Sequence, residues 1–381
     1  MSYLLRRLPL SRLLLLCGLV VVLGISITAL AFALGTGPTP PAKPLPQAVH
    51  DTLAGAGGQP IEGVSASVQL TDHLLEGASL AGGGGEAGQL ASSPLLSGAS
   101  GRLWISKDGH VRLELQSKKG DTEIYYDGHT VQMYDASSNT LYRYTPPAHE
   151  GGSESGAGSG SGATNPHHEV PSVARIEEAI SHLSDHAGVS GATPTDIAGQ
   201  AAYTVRVTPK ETGSLLGGAE LSWDAVHGVP LRAAIYSTTS SSPAVELAAT
   251  SISYGPVAAS VFEFAPPANA KVQEITLPTK HTAGSSTEGG ERPNVSTQGH
   301  GLSTIAVLEG KAGYTAGTAG SGATSSPALP EGLQKVKING IEATELPTEL
   351  GTLLSFERSG VRYLLAGAVD PAALEAVARG L

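Results

Sequence analysis

Cysteine is nearly missing from this chain of 381 residues, which holds a single one, Cys17. Beyond it there can be no disulfide, no thiolate metal site and no thiol nucleophile. Basic residues are also few: 23 Lys and Arg against 34 Asp and Glu leave a net charge of −11. That balance argues against nucleic acid as a partner, and against charge-driven docking on an anionic lipid surface. Aromatics make up only 4% of the residues, while glycine (49) and proline (25) are abundant. Such a composition points to strands and turns separated by flexible loops, not to a helical bundle. The usual catalytic signatures are missing as well. There is no Gly-x-Ser-x-Gly elbow, no phosphate loop and no Gly-x-Gly-x-x-Gly after a strand. The expected protein is therefore not an enzyme, and no cofactor is implied.

One long uncharged run is present. Arg6, Arg7 and Arg12 precede the apolar stretch Leu13 to Leu34, whose 22 residues carry no charge. A helix needs about 20 to cross a hydrocarbon core. The positive flank lies on the N-terminal side, so the N-terminus is expected in the cytoplasm and the rest outside. Residues 1–37 thus read as a signal anchor. Ala29-Leu-Ala31 and Ala31-Phe-Ala33 offer the alternative of cleavage and secretion, but the length of the run favours an uncleaved anchor. Cys17 does not fit a lipidation site: Leu16 precedes it and most of the apolar core follows it, so it reads as an ordinary residue of the membrane helix.

Beyond the anchor, residues 38–46 (PTPPAKPLP) form a stiff spacer. A domain at 47–275 follows. A short helix is expected near Gln47 to Leu53, then a half-buried strand over Ile61 to Leu70 with Val64, Ala66, Val68 and Leu70 at period two. Residues 76–100 and 151–165 are Gly- and Ser-rich inserts. Between Gly101 and Tyr144, alternation and turn signals such as Asp108-Gly109 and Asp127-Gly128 predict an antiparallel meander with one apolar and one polar face. Val173, Ile176, Ile180 and Leu183 recur at helical spacing. Strands resume at Tyr203–Val207, Leu221–Trp223, Leu231–Ile235 and Val245–Ala249, and the domain closes at Val261–Phe264 and Pro266-Pro267.

A linker at 279–298 leads to a small C-terminal α+β module at 299–381. The module opens with Leu302 to Leu308, is interrupted by a Gly/Ala/Ser-rich insert at 309–326, and then has strands expected near Gln334–Ile338, Ile341–Leu346, Thr352–Glu357 and Arg362–Ala368. Asp370 as N-cap and Pro371 at the first position start a last helix. His182 and His186 lie four apart, a spacing that can hold zinc, but without an obvious third ligand they read as solvated histidines and no metal site is expected.

The apolar face of the meander is either a closed core or the lining of a cavity with the helix as lid, and periodicity does not separate the two. The stretch 101–144 (GRLWISKDGHVRLELQSKKGDTEIYYDGHTVQMYDASSNTLYRY) resembles the meander of the LolA-like lipoprotein carrier family. The segments AAYTVRVTP, AELSWDAVHGVPLRAAIY and VFEFAPP are similar to its later half, with Phe262, Phe264 and Pro267 at the close. The resemblance covers about Leu45 to Val272. It implies a mainly β fold with some α, a curved antiparallel sheet or incomplete barrel closed by helices around a cavity for acyl chains. The implied lining is Leu103, Ile105, Leu113, Leu115, Ile124, Tyr126, Val131, Met133, Trp223 and Ile235. The stretch LLSFERSGVRYLLAGAVDPAALEAVARGL resembles the end of an envelope-stress sensor of the same superfamily. The implied function is binding of lipid or lipoprotein acyl chains in a bacterial envelope. The alternative is a regulatory ectodomain that senses envelope state and grips a membrane protein such as an anti-sigma factor. The inserts at 76–100 and 151–165, and the anchor itself, depart from a compact shuttling carrier.

Overall fold

The structure, a computed structural model, describes residues 37–55, 61–76, 94–118, 120–146, 171–275, 294–311, 329 and 332–381. The apolar run 13–34, Cys17 and the insert 151–165 lie outside the described residues. Among the described residues, no helix is long and apolar enough to cross a membrane.

The first half of the larger sheet holds β1 (Gly63–Asp72), β2 (Ala99–Ser106), β3 (Val111–Ser117), β4 (Gly120–Tyr126), β5 (Val131–Asp135) and β6 (Thr140–Tyr144). The second half holds β7 (Ala187–Val189), β8 (Thr193–Ile197), β9 (Gln200–Pro209), β10 (Leu216–Asp224), β11 (Pro230–Ser237) and β12 (Pro243–Tyr254), with β13 (Lys271–Ile275) returning to the far edge. Their order is β13-β6-β5-β4-β3-β2-β1-β12-β11-β10-β9-β7, with β8 also on β9. Two meanders are therefore joined by the antiparallel pair β1 and β12, and among the described residues only β13 on β6 is parallel. The sheet is curved and does not close.

Directly opposed residues of an antiparallel pair share a face. One row runs Ala66, Leu103, Leu113, Ile124, Met133, and the next runs Val64, Ile105, Val111, Tyr126, Val131. Across the β1–β12 seam the same face continues through Leu247, Ala233, Leu221 and Val205. This is the apolar face that the alternation predicts. Beneath the short helix α2 (Pro94–Ser97), Leu95 packs on it with Ala66, Val68, Leu70 and Leu115.

The opposite face differs from expectation along β3–β6. There the chain after β12 folds back over the sheet. Phe264 stacks on Tyr125 at 4.2 Å, and Arg112 donates through Nη1 to the Val261 carbonyl at 2.8 Å. Tyr125 and Leu141 are buried. Only the β9–β12 half is the expected polar surface, where Arg232 bridges Glu220 and Glu246 at 2.7 and 2.5 Å and Arg206 reaches Glu220 at 3.0 Å. Burial would raise the Glu220 carboxyl, but hydrogen bonds from Arg232, Tyr236 and Arg206 outweigh it and hold the group low.

The smaller sheet has the order β14-β15-β19-β18-β17-β16, all antiparallel, from β14 (Asn294–Gln298), β15 (Ile305–Lys311), β16 (Gln334–Ile338), β17 (Ile341–Thr348), β18 (Gly351–Arg358) and β19 (Val361–Gly367). The C-terminal helix, Pro371–Arg379, packs Leu374 and Ala378 against Leu354, Phe356 and Leu365. Its start is the predicted one: Asp370 Oδ1 accepts the Ala373 N–H at 2.8 Å. The sheets touch. Leu75, just past β1, packs against Leu333 and Leu346, and the Leu215 N–H donates to the Ala368 carbonyl at 2.7 Å.

Candidate functional site

Two helices lie over the apolar face at β9–β11. The first, α1 (Leu45–Leu53), has Pro46 in its opening turn, where a missing N–H costs nothing, and ends before Gly55 at φ +61°. Leu45, Ala48, Val49 and Thr52 share its inner face. The second, α3 (Val173–His186), starts from Ser172, whose side chain accepts the Arg175 N–H at 3.3 Å. Ile176 and Ile180 form its inner stripe. The two helices pack on each other, and the chain before α1 is fixed by Tyr203, whose hydroxyl donates to the Pro41 carbonyl at 2.7 Å.

Between these helices and the sheet lies a groove of about 560 Å³, within the range of about 300–1,000 Å³ typical of small-molecule sites. Its floor is Val189, Val205, Val207, Leu221 and Trp223. Its roof is Leu45 and Val49 from α1, with Ile176, Ala179, Ile180 and Leu183 from α3. The mouth is apolar too: Leu183 is 45% exposed and Leu221 42%.

The polar atoms of the wall are already used. Trp223 Nε1 donates to Thr52 Oγ1 at 2.9 Å, and Thr52 Oγ1 donates to the Ala48 carbonyl at 2.8 Å. Gly228, at φ +72°, makes room for this pair, since a Cβ there would stand 2.7 Å from Thr52 Cγ2. Among the described residues, Arg175 is the one charged side chain of the lining. Replacing Thr52 with valine keeps the shape but strands the indole N–H. A loss of about 1 kcal/mol is expected from the penalty for an unpaired buried donor, measured by denaturant unfolding.

Next to the groove, Asp224 is almost wholly buried. Its Oδ1 accepts the Val226 and His227 N–H groups at 2.7 and 2.8 Å, and its Oδ2 accepts the Tyr254 hydroxyl at 2.5 Å. Burial alone would raise this carboxyl, but the bonds from Tyr254, His227 and Val226 outweigh it and keep the group ionised and low. His227 Nδ1 lies 3.2 Å from Oδ2, and its ring packs on Tyr254 at 3.9 Å. The pairing has the outline of a base and its orienting acid, but its third member is a tyrosine that donates to the acid. The cluster locks the β10–β11 turn.

The structure divides the residues expected to line the site. Trp223 is in the groove wall. Leu103, Leu113 and Leu115 belong to the packed cluster under α2. Ile105, Ile124, Tyr126, Val131 and Met133 share the same face, half-buried, on the β2–β5 half away from the groove. Ile235 is on that face in β11 and is 38% exposed. The α1 wall, and Arg175 and Ala179 on α3, were not singled out from sequence. His182 and His186 are exposed, and among the described residues no three His, Cys, Asp or Glu side chains gather as metal ligands would.

No family model matches the chain, and no curated protein does. Solved structures do. The complex structure of Pseudomonas aeruginosa MucA/MucB is 13% identical over 88% of this chain and 96% of that one, with a TM-score of 0.39. A LolA superfamily protein from Nitrosomonas europaea is 8% identical over 85% and 91%, with a TM-score of 0.18. A putative outer membrane lipoprotein-sorting protein domain from Vibrio parahaemolyticus is 10% identical over 83% and 90%, with a TM-score of 0.17.

Proposed function

We propose that this chain binds the acyl chains of lipids or lipoproteins in the groove between α1, α3 and strands β9–β11, outside the membrane and tethered by the run 13–34. The observation that carries this is the state of the wall. Trp223 and Thr52 satisfy each other, so among the described residues the wall offers a ligand no free neutral side-chain hydrogen-bonding group. What it offers is apolar surface, and each methylene taken from water into such surface gains about 0.8 kcal/mol. The open apolar mouth at Leu183 and Leu221 suits a long flexible chain entering from the side. The resemblance of residues 101–144 to the LolA-like family points the same way. In this reading the protein acts by holding its ligand and carries out no chemistry on it.

A second reading, a regulatory ectodomain that grips a membrane protein, is favoured by one feature. The strand β14 ends the smaller sheet, and among the described residues nothing pairs with its outer edge. An extended partner segment can add there as a further strand.

The test of the first reading is photocrosslinking of the full chain in phosphatidylcholine nanodiscs with a fatty acid carrying a diazirine near its tail. Crosslinks on α3, β9 and β10 are expected. Crosslinks confined to residues 1–36 would mean that the probe only partitions beside the membrane segment, and would overturn it.

A further inference from the structure

We propose that Arg175 sets the ligand's head group, selecting acyl chains that end in a single negative charge. The inference rests on the acyl-binding reading of the groove and adds which amphiphile it takes.

Arg175 lies on the first turn of α3 and lines the groove at the end marked by Pro171. Among the described residues its guanidinium has no ion-pair partner, as is also true of Arg102 and Arg358, whereas Arg112, Arg143, Arg206, Arg232 and Arg379 are paired; of the three it is the one that lines the groove. Arg175, Ala179 and Leu183 form one stripe along the lining, which at 1.5 Å per residue runs about 12 Å. A chain laid along this stripe has its tail against Leu183 and Leu221 and its head at the guanidinium. The planar guanidinium fork matches a carboxylate with two parallel N–H···O bonds. Glu177 and Glu178 follow on the same helix, both exposed. Their charge works against a dianion, which is why the site is assigned to a monoanionic head, a long-chain carboxylate, over a phosphate monoester carrying about −1.5 to −2.

The experiment uses the full chain in phosphatidylcholine nanodiscs and three diazirine probes with the same sixteen-carbon chain: the carboxylic acid, the neutral alcohol and the phosphate monoester. The acid is expected to label the groove roughly fivefold better than the alcohol, the scale of one exposed ion pair. Added salt should shrink that preference, because the pair is solvent-accessible. Arg175→Gln should label equally with acid and alcohol, and Arg175→Lys should keep most of the preference. Equal labelling by acid and alcohol in the unaltered chain, or an undiminished preference in Arg175→Gln, overturns the role of Arg175 while alcohol labelling of the groove leaves the acyl-binding reading standing. The phosphate probe labelling best of the three overturns the monoanionic assignment. Labelling of the groove by none of the probes removes the acyl-binding reading itself.

Discussion

Replacing Ala179 with tryptophan is expected to reduce acyl-chain capture at least tenfold, with a melting temperature within about 3 °C of the unaltered chain. Ala179 is exposed on α3 and lines the groove. An indole there fills the space that the ligand needs. It replaces no core contact and breaks no hydrogen bond, and exposed helix positions tolerate such changes to within about 0.5 kcal/mol. Capture is read as groove labelling by the photoreactive fatty acid, and stability by thermal unfolding of the same preparation. Undiminished capture would place the ligand elsewhere. Lost capture with a collapsed melting temperature would show instead that Ala179 belongs to a packed core.

The second large effect is expected at Glu345. Its side chain is 2% exposed, and its Oε1 has no hydrogen-bond partner. It stands opposite Leu354 in the register of β17 and β18, on the face that carries the C-terminal helix. Burial first, then the charge of Glu375, pushes its carboxyl above the ordinary carboxylate range. The folded state therefore holds the proton more tightly than the unfolded state. Its stability is fully present below the unfolded pKa of about 4.3 and declines as pH rises from there through the raised folded value. Glu345→Leu removes the cost of the buried carboxyl. At neutral pH it should stabilise the chain by about 1–3 kcal/mol. Near pH 3, well below the unfolded pKa of about 4.3, both states of the unaltered chain are protonated, and the gain should shrink toward the part owed to an unpaired neutral group. The check is the difference in unfolding free energy between the two chains across this range, which cancels the other carboxylates. A constant difference, or destabilisation at neutral pH, would contradict the reading.

Much of the architecture is legible in the alternation. Leu103, Leu113, Ile124 and Met133 fall in one row because period two in successive strands, joined by short turns such as Asp108-Gly109 and Asp127-Gly128, leaves little freedom of register. The Asp370 cap and the Ile176–Ile180 stripe are local signals, and the helices stand where these place them. The groove was less legible. A meander predicts neighbours within itself, whereas the long-range pairing of β1 with β12 decides that α1 and α3 cover β9–β11 and not β2–β5. Strand β14, read as linker, is Asn-Val-Ser-Thr-Gln, and its polar residues belong to an exposed edge with no face to bury. Strand β13 lies on the far edge with every residue exposed, so its sequence carries little pattern. The aromatic clasp over the meander depends on Phe264 meeting Tyr125, residues 139 apart in sequence, a contact that no local spacing encodes.

The most direct measurement uses the two tryptophans, which sit on opposite faces of the sheet. Trp223 is in the groove wall, and Trp104 opposes Ser65 and Arg112 on the other side. A fatty acid brominated along its chain quenches indole fluorescence only at close range. It is titrated into the full chain in nanodiscs, once with Trp104→Phe so that Trp223 alone reports, and once with Trp223→Phe so that Trp104 alone does. Saturable quenching of Trp223, with Trp104 unaffected, is the expected result. No quenching of Trp223, or equal quenching of both, would contradict acyl-chain binding in the groove.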